Sequence, residues 1–307
     1  MKVLSIGATG YVGSRVVEKL LKQGYSVTGV TSRETAIESL RAKGVCPVVA
    51  DLRETDKLIE LAQVHDAIAY TAFLAHDASF SEAVEVEAQF LKALIQSLAG
   101  SGKTLILSNG TAFLGDSGTQ FLDESAPVQL NHPTAIRAEI ERLALEGNQQ
   151  GLRVVSIRLA SFVYGEGGSI FLPLLVQAAR ETGESIYVDD GNASISAVHV
   201  KDAAELYLLA LQQPASGIYH CADRQSPTVK QLAEAIARGI GLSCITKSVT
   251  SEVAAQRLNP FLALFLSMNN RLSSQRAQQE LGWQPQSQPG ILADLEFGSY
   301  LQKKLQR

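Results

Sequence analysis

Three glycines, Gly7, Gly10 and Gly13 in the run Gly7-Ala8-Thr9-Gly10-Tyr11-Val12-Gly13, stand between an apolar stretch, Val3 to Ile6, and a segment with apolar residues at Val12, Val16, Val17, Leu20 and Leu21. The spacing predicts strand, tight turn, helix. In such a turn the first glycine lets the chain leave the strand sharply. The second lets backbone N–H groups approach a pyrophosphate, and the third lets the helix pack closely on the strand. The free N–H groups and macrodipole of the helix N-terminus then favour the negative charge. A dinucleotide held by Gly7, Thr9, Gly10, Tyr11, Val12 and Gly13 is the expected ligand.

Other residue types in the chain bear on the same chemistry. The end of the second expected strand reads Val30-Thr31-Ser32-Arg33. A carboxylate there would bond the ribose 2′-OH of NAD, whereas Ser32 and Arg33 suit the 2′-phosphate of NADP; Glu34 leaves NAD open. Asp51-Leu52 ends the third strand, where Asp51 could reach the adenine amino group, cap the helix that begins near Thr55, or do both. Ser108 and Thr111, in Ser108-Asn109-Gly110-Thr111, place hydroxyls at the carboxyl edge of the fifth strand, where open α/β sheets bind ligands. His132 could titrate near neutrality. Tyr70, Tyr164 and His199 are accounted for by packing, turn and helix-start positions.

The elements that must position these groups alternate regularly. Strands are expected at Ser26 to Thr31, Val45 to Ala50, Ala67 to Tyr70, Thr104 to Leu107 and Val154 to Leu159, with helices between them that include Ala83 to Ala99 and Ala135 to Asn148. This is the pattern of a doubly wound parallel sheet of Rossmann type. Beyond Gly165 the alternation lapses into a glycine loop, a helix at Ile170 to Ala179, a short strand at Ile195 to Val200, a helix at Lys201 to Leu211, and shorter pieces ending in a helix to Leu305. We therefore expect residues 1–165, completed by 192–222, to form the dinucleotide-binding domain, and residues 166–191 and 223–307 a small substrate-side lobe.

Composition narrows the function. The net charge is −4 with no basic block, so the electrostatic footprint of a nucleic-acid binder is missing. No apolar run nears the ~20 residues that span a bilayer. Cys46, Cys221 and Cys244 have neither disulfide-framework nor zinc-site spacing, so no metal is expected and a reducing cytoplasm is the expected setting.

With these residues the chain resembles the extended and atypical short-chain dehydrogenase/reductases, the group that includes NAD-dependent epimerase/dehydratases. The resemblance rests on the glycine turn, Asp51-Leu52, Ser108 to Thr111 with Gly115-Asp116, Arg158-Leu159 with Val163-Tyr164-Gly165, Val198 to Ala204, and Leu281 to Pro285, in the family's order. It implies that Thr71, Ala72 and Phe73 line the cofactor ribose and that Leu159, Ala160, Ser161 and Phe162 lie near the nicotinamide. It makes either Ser108 or Thr111 the hydroxyl that polarises a substrate carbonyl, and it suggests a homodimer through the helices Ala83 to Ala99 and Ala135 to Asn148.

The resemblance breaks at the family's catalytic tyrosine and the lysine four residues on. The helix start here is His132-Pro133-Thr134-Ala135-Ile136-Arg137, which sets Pro133 at the tyrosine position and Arg137 at the lysine position. Proline carries no proton, and a guanidinium can bond ribose hydroxyls but is a poor proton relay. Loss of a general acid costs ~10²–10⁴ in rate. Two functions follow as expectations: an NADP-dependent oxidoreductase or epimerase-like enzyme for a small carbonyl or sugar-like substrate with an atypical donor such as His132, or an NADP(H)-binding sensor without turnover.

Overall fold

The computed structural model describes residues 1–73, 79–241 and 245–301. Its first half alternates strictly: β1 (Lys2–Ile6), α1 (Tyr11–Lys22), β2 (Ser26–Thr31), α2 (Ile37–Ala42), β3 (Cys46–Val49), α3 (Thr55–Gln63), β4 (Ala67–Tyr70), α4 (Phe80–Leu98), β5 (Thr104–Asn109), α5 (Ile136–Leu145) and β6 (Arg153–Leu159). Then follow β7 (Phe162–Tyr164), α6 (Leu172–Thr182), β8 (Ser185–Val188), β9 (Ala197–His199), α7 (Val200–Gln212), β10 (Gly217–Cys221), α8 (Val229–Gly239) and β11 (Thr246–Val249). The chain closes with α9 (Ser251–Arg257), α10 (Pro260–Ser267), α11 (Gln275–Leu281) and α12 (Ile291–Phe297).

Seven strands form one parallel sheet in the order β10-β6-β5-β4-β1-β2-β3. Both faces are covered, and side chains alternate between two cores as the pleat requires. Val3, Ala67, Ala69, Ile106 and Val155 face α1 and α7, with Val16, Leu20 and Tyr207. Leu4, Ile68, Leu105, Leu107 and Val154 face the other way, onto Leu58 of α3, Phe90 and Leu94 of α4, and Ile140 of α5. The winding reverses between β1 and β4, which opens a crevice above their carboxyl ends.

A third core, with Leu172, Val176, Leu232, Ile236, Leu262 and Leu295, holds the lobe together around the parallel pair β8 and β11. The lobe is where the structure departs most from expectation. The last helix ends at Phe297, before Gly298, and the expected end at Leu305 lies outside the described residues, as does Cys244. The seventh strand of the sheet, β10, and the short strands β7, β8 and β11 have three to five residues each, too few for period-two alternation to stand out. Helix α10 is apolar on nearly every side, so no 3.6-residue stripe marks it. Among the described residues no helix is long and apolar enough to cross a membrane.

Candidate functional site

The glycine turn lies at the reversal point. Gly7 has φ +93°, and a Cβ on it would stand 2.8 Å from Ala72 N and 2.9 Å from Thr71 Oγ1. A Cβ on Gly13 would overlap the Gly7 carbonyl oxygen and Thr71 Oγ1. The turn is pinned on both sides: Ala8 N donates to Val30 O at 3.1 Å, and Thr71 N donates to Ile6 O at 2.9 Å. Helix α1 opens on Gly10 with no side-chain cap and no acidic residue in its first turn, so its first N–H groups are left for an anion. The cradle thus fits a pyrophosphate. Thr9 Oγ1 lies 3.1 Å from Thr31 Oγ1, tying the turn to the end of β2.

Tyr11 contributes backbone here, because its side chain is committed elsewhere. Its hydroxyl donates to Gly165 O at 2.7 Å, and its ring fills the space a Cβ on Gly168 would take. Burial pushes the phenol pKa well up. Val12 is half-buried behind the turn. Past β2, Ser32 and Arg33 are exposed, Arg33 N donates to Thr31 Oγ1 at 3.2 Å, and the Arg33 guanidinium has no hydrogen bond or ion pair among the described residues. Asp51 folds onto Arg53, accepting from its N at 3.0 Å and its Nη1 at 3.2 Å. It does not cap α3, which opens on Glu54 without a side-chain cap because the Glu54 carboxylate accepts from Asp51 N instead. Leu52 is buried.

At the β5 edge the pleat separates the expected groups. Ser108 turns toward α7, where its hydroxyl bonds Tyr207 and donates to Tyr70 O at 3.2 Å. Asn109 turns the other way, accepting from Arg137 Nε at 3.3 Å and donating to Arg137 O at 3.0 Å. Arg137 also pairs through Nη1 with Glu87 of α4 and lies 5.2 Å over the Phe73 ring, leaving Nη2 without a hydrogen bond among the described residues. Burial pushes the Glu87 carboxyl up and Arg137 pulls it back. The charge expected to hold a ribose is therefore half committed to a buried partner. Phe73 is exposed, and Pro133, at the missing tyrosine's place, is exposed too.

Thr111 and Ser161 converge from β5 and β6 on one side chain of the lobe. Asn270 Oδ1 accepts from Thr111 Oγ1 at 3.2 Å, Ser161 Oγ at 2.5 Å and Ser196 Oγ at 2.6 Å. Leu159 is half-buried at the end of β6, Ala160 N donates to Cys221 O at 3.0 Å, and the Phe162 ring is buried in the lobe core. His132 stands apart from these groups: Thr134 N donates to its Nδ1 at 3.3 Å, which puts the proton on Nε2, and Nε2 is buried without a partner among the described residues. Burial lowers its pKa, keeping the ring neutral at pH 7.

Sequence reasoning missed Glu87, Asn109, Ser196 and Asn270. Glu87 left a trace, since it falls three after Val84 and four before Leu91 on the apolar stripe of α4. Asn270 left none. Among the described residues no group of three or more His, Cys, Asp or Glu is placed to hold a metal ion.

Known proteins resemble this chain in sequence and in fold. An uncharacterized protein of Schizosaccharomyces pombe is 33% identical over 302 residues, covering 98% of this chain and all of the other. A ketoreductase of Stigmatella aurantiaca, acting on 4-hydroxy-2-methyl-3-oxo-4-farnesyl-3,4-dihydroquinoline-1-oxide, is 29% identical over 237 residues, 73% of this chain and 68% of its own. The solved dTDP-glucose 4,6-dehydratase of Streptomyces venezuelae with NAD bound superposes with TM-score 0.79 at 22% identity, over 97% of this chain and 96% of that one, and shares the fold. Residues 3–222 match the model of the NAD dependent epimerase/dehydratase family, and the chain belongs to that family.

Proposed function

We propose that the protein is an NADP-dependent reductase of a small carbonyl compound. The observation that carries this is the uncapped α1 N-terminus behind a glycine cradle at the β1/β4 reversal, with the Arg33 guanidinium, unpartnered among the described residues, at the end of β2. The cradle holds a pyrophosphate, and Arg33 with Ser32 suits a 2′-phosphate. Bound NADPH would supply a hydride to the carbonyl carbon, with one proton taken up at the oxygen to give the alcohol and NADP⁺. Nη2 of Arg137 is the free donor for a ribose hydroxyl or the carbonyl oxygen, oriented by Glu87 and Asn109. Thr111 orders the β5 loop through Asn270. The proton comes from water, because the neutral His132 ring, apart from these groups, has no acidic proton to give. The named ketoreductase supports carbonyl reduction over epimerisation.

A second reading, NADP(H) binding without turnover, is favoured by Pro133 at the tyrosine position and by the burial of half of Arg137 against Glu87. Parallel fluorescence titrations with NADPH and NADH, repeated on Arg33→Ala, test the cofactor reading: NADPH preference is expected and is lost in the variant. A carbonyl panel then separates enzyme from sensor. The homodimer would use α4 and α5, where Val84, Ala88, Ile136 and Leu143 line a groove; sedimentation of Ile136→Glu, expected as monomer, tests it.

A further inference from the structure

A row of phenylalanines runs from the sheet edge into the lobe. Phe73, three residues past β4, lies 6.0 Å from Phe80 at the start of α4, and Phe80 lies 6.4 Å from Phe261 on α10. Phe261 in turn contacts Phe265 at 5.0 Å and Phe171 at 6.1 Å. Both ends of the row touch the candidate site. The Arg137 guanidinium sits over Phe73, and Phe265 packs with Met268 against Ala112, the residue after Thr111.

Rings placed only to build a core would be buried, as Phe162 is. Phe73, Phe80 and Phe261 instead keep 40%, 38% and 39% of their surface open. Adjacent bare aromatic rings cost free energy that an apolar ligand would recover. Their surroundings say which ligand. Helix α10 carries no charged residue, and neither does Leu172 to Gln177 in the first turns of α6. Of the lobe's cations, Lys247 and Arg257 pair with Glu184, and Arg238 with Glu296. A nucleoside diphosphate needs charged donors for two phosphates. Among the described residues this face offers ring surface and, at one end, the edge of one guanidinium.

We propose that the Phe73–Phe80–Phe261 row is the substrate subsite and that it takes a flat aromatic carbonyl compound, stacked on the rings with its carbonyl toward Arg137, in preference to a nucleotide sugar. Offset or edge-to-face ring contacts supply both affinity and orientation. This inference rests on the reductase reading above and names its substrate class.

The test uses the full chain saturated with NADP⁺, so that binding is read without turnover. Calorimetric titrations with 2-acetylnaphthalene, cyclohexyl methyl ketone and UDP-glucose are compared on the wild type, Phe261→Ala and Phe80→Ala. The naphthyl ketone is expected to bind at least about tenfold tighter than either other probe, and each variant to weaken it about tenfold while leaving the NADPH dissociation constant unchanged. Both positions are exposed enough that the variants fold, which a thermal melt checks. Tighter binding of UDP-glucose, or naphthyl affinity unchanged in both variants, overturns the subsite while leaving the reductase reading intact. Failure of the wild type to bind NADPH overturns the reductase reading and this inference with it.

Discussion

Glu87→Leu should destabilise the protein far more than its chemistry alone suggests. Glu87 is 1% exposed, and its partner Arg137 is 13% exposed in its side chain. Removing the carboxylate leaves a guanidinium that cannot lose its proton, half-enclosed between Asn109 and Phe73. Breaking a buried pair from one side costs about 3–5 kcal/mol, and the partial exposure of Arg137 points to the lower end. Replacing both members with apolar residues of similar volume, as in Glu87→Leu with Arg137→Met, is often neutral, so the double variant should recover most of the loss. The assay is urea unfolding followed by Trp283, the chain's one tryptophan and fully buried. With a slope of about 3 kcal/mol/M, the single variant's midpoint falls by roughly 1 M. The reasoning is refuted if Glu87→Leu costs less than about 1 kcal/mol, or if the double variant is as unstable as the single one. NADPH affinity measured on the same proteins reports whether Arg137 also holds the cofactor.

Other consequences are equally direct. Gly13→Ala drives a methyl into the Gly7 carbonyl, and should weaken NADPH and NADH alike and cost about 1–3 kcal/mol, whereas Gly24→Ala, in open space at φ +78°, should leave cofactor titrations unchanged. Asn270→Leu removes the acceptor shared by the hydroxyls of Thr111, Ser161 and Ser196, and thermal melts should show a loss of about 2 kcal/mol or more. His220 on β10 is fully buried beside Arg158 of β6, and burial, with the Arg158 charge, pulls its pKa down to about 4. The unfolded chain therefore binds a proton that the native one refuses as pH falls from about 6.5 to 4, so stability drops across that window. Unfolding titrations should show His220→Gln losing less on acidification than the wild type over those pH values, and parallel curves would refute the assignment.

How much was legible can be judged residue by residue. Gly7, Gly10 and Gly13 announced their turn because the constraint is local: each lies within a few residues of the strand and helix it joins, and the structure shows the clashes a side chain would make at Gly7 and Gly13. The alternation of short apolar runs with 3.6-residue stripes likewise determined the α/β class, since each element needs only its own period to be recognised. Arg33 stands where the sequence placed it, exposed two residues past β2, for the same local reason.

Tertiary structure alone decided which polar groups meet. Ser108 and Thr111 look interchangeable in sequence, yet the pleat sends one hydroxyl to Tyr207 behind the sheet and the loop sends the other to Asn270, 159 residues away. Arg137 found Glu87 fifty residues upstream because α4 and α5 pack side by side on one face of the sheet. The open phenylalanine row assembles from the end of β4, the start of α4, the residue before α6, and α10. Periodicity and turn chemistry act over a handful of residues, so the sequence by itself determined the elements and the glycine turn that joins β1 to α1. Partnerships across tens of residues depend on strand order and layer packing, and these the fold had to supply.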